Sequence, residues 1–118
     1  MAVREAIIKT LKQAGNGPKP QRGQKVTVEC TGVVKATSTK FWSTKDPGQK
    51  PFSFNVGLGQ VIKGWDEGVL GMALGEEADL DCRSDYAYGD AGFPAWGIPP
   101  KADLIFTIKV LSIDNLKV

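Results

Sequence analysis

The stretch Val61-Ile62-Lys63-Gly64-Trp65-Asp66-Glu67-Gly68-Val69 decides the fold. It reads as one short helix over residues 61–70, opened by the Gly57-Leu58-Gly59 turn and closed by Gly71. Ile62, Trp65 and Val69 fall at i, i+3 and i+7, a single face at helical spacing. Gly64 and Gly68 lie four apart and form a ridge without side chains. Two glycines in so short a helix cost about 1 kcal/mol each relative to alanine. That cost makes sense where a sheet or a ligand approaches the helix backbone closely. Trp65 is then either a core residue under a sheet or part of a ligand site, and the surrounding chain favours the ligand site.

At 118 residues the chain is long enough for a single domain, residues 1–118, with one core that needs no metal or disulfide. A formal charge of +2 is too small to argue for nucleic acid or a membrane surface. The aromatic residues, moreover, have no interleaved basic ones. No apolar run reaches transmembrane length and no signal-peptide core follows Met1, so a cytoplasmic protein is expected. The chain contains no histidine, which removes Ser-His-Asp and Cys-His catalysis and His-ligated metals. Cys30 and Cys82 form no C-x-x-C pair, so no zinc site is expected. The Gly57-Leu58-Gly59 turn fails the dinucleotide fingerprint because Ile62 stands at its third glycine position, and no Walker lysine follows. No cofactor is expected.

Along the chain, residues 5–11 are ambiguous between helix and strand, and the β-branched pair Ile7-Ile8 tilts them towards strand. Residues 14–24 hold glycines and prolines and form a loop. Residues 25–31 alternate cleanly, with Val26, Val28 and Cys30 inward. Residues 33–40 extend that strand weakly before Phe41-Trp42, and Asp46-Pro47-Gly48-Gln49 is a turn. Phe52, Phe54 and Val56 share one side of a further strand, and Ala78, Leu80 and Cys82 one side of another. A last strand over 103–113 turns Leu104, Phe106, Ile108, Val110 and, at its end, Ser112 to one face. Several strands and one short helix make an α+β domain with an antiparallel sheet covering the helix. Between the last two long strands, residues 84–100 carry Tyr86, Tyr88, Phe93, Trp96 and Ile98. Connectors are usually about 4–6 residues and polar, so a long aromatic loop reads as a binding surface.

Three stretches in this order and spacing carry a resemblance: Val61-Ile62-Lys63-Gly64-Trp65-Asp66-Glu67-Gly68, Ser84-Asp85-Tyr86-Ala87-Tyr88-Gly89, and Gly97-Ile98-Pro99-Pro100. The chain resembles the single-domain FKBP-type immunophilins, peptidyl-prolyl cis-trans isomerases that bind the macrolides tacrolimus and rapamycin. Cys30-Thr31-Gly32 together with Phe41-Trp42-Ser43-Thr44-Lys45-Asp46 is most similar to the plant or green-lineage branch. The resemblance implies a half-open five-stranded antiparallel sheet wrapped around one short helix. It implies an apolar pocket between them at Phe41, Phe52, Val61, Ile62, Trp65, Tyr88, Ile98 and Phe106. Trp65 would be the floor under a proline ring, while the Ile62 N–H and the Tyr88 hydroxyl hold carbonyls. The implied partners are proline-containing peptides and proteins and macrolides. A drug-dependent phosphatase or kinase partner is left open, and the family favours monomers.

The chain departs from the family at the pocket edge: Cys30 stands for a tyrosine, Trp42 for an aspartate and Phe93 for a histidine, and Trp96 is inserted beside Phe93. Losing both polar groups of one corner is more tolerable than leaving one unpaired. The cysteine replacing the pocket tyrosine, with Cys82 also inward, leaves open a Cys30–Cys82 disulfide; the alternative is two buried free thiols. For the chemistry, Trp65, Phe106, Val61 and Ile62 would hold the proline ring. The amide resists rotation by about 18–20 kcal/mol, and the twisted form is less charge-separated than the planar one. An apolar pocket therefore favours it differentially, with no acid or base. A non-catalytic module that holds partner segments in the same pocket is the alternative.

Overall fold

The computed structural model describes residues 6–117. Glu5, the first residue of the expected N-terminal strand, lies outside them. The strands are β1 (Ile7–Gln13), β2 (Lys25–Val34), β3 (Thr39–Ser43), β4 (Phe52–Asn55), β5 (Glu77–Cys82), β6 (Leu104–Ile113) and β7 (Leu116–Lys117). All pairings are antiparallel, in the order β1-β5-β6-β2-β3, with β4 also on β2 and β7 on β6. β3 and β4 share one edge of β2, β3 beside Thr31 to Val34 and β4 beside Lys25 to Val28, so together they act as one interrupted edge strand. The sheet is thus five strands wide around one short helix, as the resemblance implies.

The helix itself is shorter than its periodicity predicts. α1 spans Lys63–Gly68, and a 3-10 turn, Val69–Gly71, follows it. Val61 lies outside, and Ile62 is the N-cap in an extended conformation (φ −59°, ψ 154°), so the leading end of the apolar face belongs to the entry loop. The glycine ridge meets the sheet. A Cβ on Gly64 would stand 2.5 Å from Cys82 Sγ, and one on Gly68 would stand 2.7 Å from Leu80 Cδ1. Asp66 fixes the entry loop from below: its carboxylate accepts from the Gly57 N–H at 3.0 Å and the Gly59 N–H at 2.7 Å.

Two bulges re-aim side chains that strict alternation misplaces. Thr27 pairs with Ser112 and Val28 with Val110, so Leu111 is the extra residue. Beyond it Ile113 points into the core and Ser112 does not, which corrects the face expected from alternation. Residues 35–38 turn the chain back instead of extending β2, and β3 then carries the second bulge. Gly32 pairs with Trp42 and Val33 with Lys40, leaving Phe41 unpaired. Without that extra residue, Phe41 and Trp42 would point to opposite faces.

Cys30 and Cys82 are buried thiols that no disulfide joins. β6 stands between their strands, with Cys30 opposite Ile108 and Cys82 opposite Leu104. Two strand spacings already separate them by roughly 9–10 Å, before the offset along β6 is added. A disulfide needs Cα atoms within about 7 Å. The bridge left open by the sequence does not form in this fold.

Candidate functional site

An open cavity of about 390 Å³ lies between α1 and the sheet edge. Its floor is Trp65, only 3% exposed. Four rings surround that indole at centroid distances of 5.4 Å (Phe106), 5.6 Å (Phe54), 5.7 Å (Phe52) and 5.9 Å (Trp42). Phe106 and Phe52 meet it edge to face, at 89° and 77°. Pairs of this kind contribute about 0.5–1.5 kcal/mol each beyond area burial, so the floor is held rigidly. The Trp65 Nε1–H is buried with no hydrogen-bond partner among the described residues. The neighbours packed on it are rings, which offer a donor only their π faces.

The far wall is built from the bulge and the long loop. Phe41 stands edge-on to Phe106 at 5.8 Å, and Gly32 provides the space, because a Cβ there would come within 2.6 Å of Phe41 Cζ. Residues 83–103 are organised by short 3-10 turns at Ser84–Tyr86, Gly89–Ala91 and Pro94–Trp96. Phe93 and Ile98 exchange both backbone hydrogen bonds, at 2.9 and 3.1 Å. Gly92 allows this closure: its φ is +64°, and a Cβ would fall 2.5 Å from the Ile98 carbonyl oxygen. The closed loop holds Trp96 over the mouth, 45% exposed and stacked on Phe41 (6.4 Å) and Trp42 (6.5 Å).

Phe41, Phe52, Val61, Ile62, Trp65, Tyr88 and Phe106 all line the cavity, as do Trp42 and Trp96. Three expected site residues do not. Ile98 is 1% exposed and lies outside the cavity lining, in the backbone pairing that it makes with Phe93. Phe93 stacks on the outer side of Trp96 at 4.9 Å and supports the wall from behind. Cys30 sits fully buried behind the pocket, its N–H bonded to Thr44 Oγ1 at 3.0 Å. Gln49, Lys50 and Gln60 line the rim, unforeseen from the sequence. As isolated polar residues outside strands and helix they carry no periodic signal; the interruption between β3 and β4 brings Gln49 and Lys50 here, and the loop after β4 brings Gln60.

The chemistry of the lining is sparse. No carboxylate among the described residues takes part. The nearby Asp46 pairs with Lys40 at 2.7 Å, and Asp66 is engaged by backbone N–H groups. Burial, and secondarily the Cys30 thiol, push the Tyr88 phenol above its ordinary pKa, so it stays a neutral donor. Neither the Tyr88 hydroxyl nor the Ile62 N–H bonds to a group among the described residues. The cavity thus combines an aromatic floor, aromatic walls and two uncommitted donors. No cluster of His, Cys, Asp and Glu among the described residues could hold a metal, and no described helix is long and apolar enough to cross a membrane.

Residues 17–111 match the family model described as FKBP-type peptidyl-prolyl cis-trans isomerase. Among curated proteins the chain is 63% identical over 109 residues to the "Peptidyl-prolyl cis-trans isomerase FKBP12" of Arabidopsis thaliana, covering 91% of this chain and 97% of that one. It is 64% identical over 107 residues to the protein of that name in Vicia faba, covering 89% and 96%. With "FK506-binding protein 1" of Gibberella zeae it shares 47% identity over 109 residues, covering 91% and 97%.

Proposed function

Since the chain belongs to the family of FKBP-type peptidyl-prolyl cis-trans isomerases, we propose that its aromatic cavity is where Xaa-Pro bonds are rotated and where macrolides of the tacrolimus and rapamycin type bind. The chain is a peptidyl-prolyl cis-trans isomerase of the single-domain immunophilin kind. The observation that carries the assignment of the site is the buried Trp65 indole, ringed by four aromatic side chains and open to a cavity that no carboxylate among the described residues lines.

In this reading the proline ring lies on the Trp65 face, with Phe106, Val61 and Ile62 at its sides. The Tyr88 hydroxyl and the Ile62 N–H donate to the carbonyls that flank it and fix the planar parts of the chain. Rotation about the C–N bond breaks amide resonance and reduces charge separation, so the apolar surround opposes the planar ground state more than the twisted transition state. Each ~1.4 kcal/mol of that difference gives about tenfold in rate. No proton moves and no bond to carbon breaks. A non-catalytic module is not favoured, because the plant relatives are named as isomerases.

We extend the reading to a monomer in the cytoplasm, where two thiols without a disulfide suit a reducing compartment. There the drug-covered mouth would present a surface to a phosphatase or kinase. A protease-coupled assay on a Leu-Pro peptide tests the enzyme reading. Micromolar protein should accelerate cis-to-trans conversion, and tacrolimus should suppress it. An unchanged rate would leave a binding module in its place.

A further inference from the structure

Of the described residues that line the cavity, Lys50 is the only one of a charged type. We propose that Lys50 makes the site selective for prolyl segments that carry an acidic side chain on the flank of the proline facing Gln49, Lys50 and Gln60. The proposal rests on the pocket being the isomerase site.

The two flanks of the cavity differ in kind. On one, Phe41, Trp96 and Tyr88 form a continuous ring surface, with Trp96 stacked on Phe41 and edge-on to Tyr88. On the other, the chain before β4 and the loop after it bring Gln49, Lys50 and Gln60 to the rim. Trp42 lies between the two, in contact with Phe52 on one side and Trp96 on the other. The polar flank offers mainly donors. The Gln60 Oε1 already accepts from the Asn55 N–H at 2.8 Å, which leaves its NH₂ group. The Lys50 ammonium enters none of the ion pairs among the described residues. Two acids of the adjoining segments are already engaged, Asp46 with Lys40 and Asp66 with the Gly57 and Gly59 N–H groups. A segment lying across Trp65 therefore meets rings on one side and an unpaired cation with amide donors on the other. A carboxylate fits the second side, an ammonium is repelled, and a neutral amide falls between.

Lys50 is exposed, so the preference is modest: exposed pairs correspond to about a two- to fivefold change in affinity. It should also shrink as salt screens it. The test uses exchange NMR on peptides with a fixed Leu-Pro centre and Glu, Gln or Lys at one or two positions before or after it. With the unaltered protein at low salt, Glu should exceed Gln, and Gln exceed Lys, by about two- to fivefold in kcat/KM on one side of the proline. The difference should appear in KM, fade at high salt, vanish in Lys50→Gln and reverse in Lys50→Glu. Equal turnover of Glu and Gln peptides at every placement overturns the proposal. So does a preference that survives Lys50→Gln, since it would then come from the charge of the whole molecule. If not even the neutral peptide is accelerated, the isomerase reading of the pocket falls, and this proposal with it.

Discussion

Replacing Gly32 by alanine would place a methyl group 2.6 Å from Phe41 Cζ and 2.9 Å from Phe106 Cε1. Carbon atoms pack at about 3.5–4.0 Å, so the overlap is near 1 Å on both sides. The backbone cannot retreat, because Gly32 pairs with Trp42 in β3 and with Phe106 in β6. Phe106 is itself buried against Trp65, which leaves the half-buried Phe41 ring as the part that gives. Overpacking of this kind costs about 1–3 kcal/mol. Removing a glycine from a strand returns about 0.5–1 kcal/mol. The net expectation is a loss of roughly 1–2 kcal/mol, with Phe41 displaced towards Trp96 or into the cavity. Urea unfolding should show a lower midpoint at unchanged slope, and kcat/KM for a Leu-Pro peptide should fall by about tenfold, as expected for ~1.4 kcal/mol of lost transition-state binding. Adding Phe41→Leu should recover much of the stability without recovering the activity, since the two sites are in contact and will not be additive. A Gly32→Ala protein with wild-type midpoint and wild-type kcat/KM would refute the role given to the bulge and its glycine.

Tyr88→Phe should weaken macrolide binding by roughly tenfold or less, the worth of one neutral hydrogen bond, while the unfolding midpoint stays put; calorimetric titration measures the first, and a large loss of stability would make Tyr88 structural. Asp66→Ala removes the acceptor of two backbone N–H groups and should destabilise the protein by about 2 kcal/mol, with faster amide exchange over residues 57–62; protection left intact there would show that the loop is held by other contacts. Stability should also fall in alkali. Burial, then Cys82, pushes the Cys30 thiol far up, and burial, then Cys30, pushes the Tyr88 phenol up. Both folded pKa values are raised, so their contribution is complete below the unfolded values of about 8.5 and about 10 and is lost as pH climbs towards the folded ones. The urea midpoint should stay level up to about pH 8, decline above it, and decline less in Cys30→Val; a midpoint independent of alkaline pH would contradict the burial of both groups.

The pattern of strands was legible because alternation reports faithfully wherever one face is dry, as in β2 and β5. It failed where a bulge inserts a residue. Leu111 swaps the faces of Ser112 and Ile113, and Phe41 lets two successive aromatics line one cavity. Neither bulge has a signature in residue type. The helix face was visible through Trp65 and Val69, but Ile62 belongs to an extended cap, because the turn before it holds the chain out of helical geometry. Most of the pocket followed from the resemblance in residues 61–68 and 84–89. Ile98 lies outside the cavity lining, in a pairing with Phe93 that depends on the positive φ of Gly92 and not on any apolar period. The rim at Gln49, Lys50 and Gln60 arises from the interruption between β3 and β4 together with the loop after β4, features of topology that no local pattern encodes.

The central claim is that an apolar cavity rotates the prolyl bond without proton transfer. The pH profile of kcat/KM for a neutral Leu-Pro peptide, measured by protease-free exchange NMR, tests it most directly. The chain has no histidine, no carboxylate among the described residues lines the cavity, and the Tyr88 phenol titrates above its usual range. The profile should therefore be flat from about pH 5 to about pH 9. A bell, or a single limb with an apparent pKa inside that span, would show an essential acid or base and contradict it.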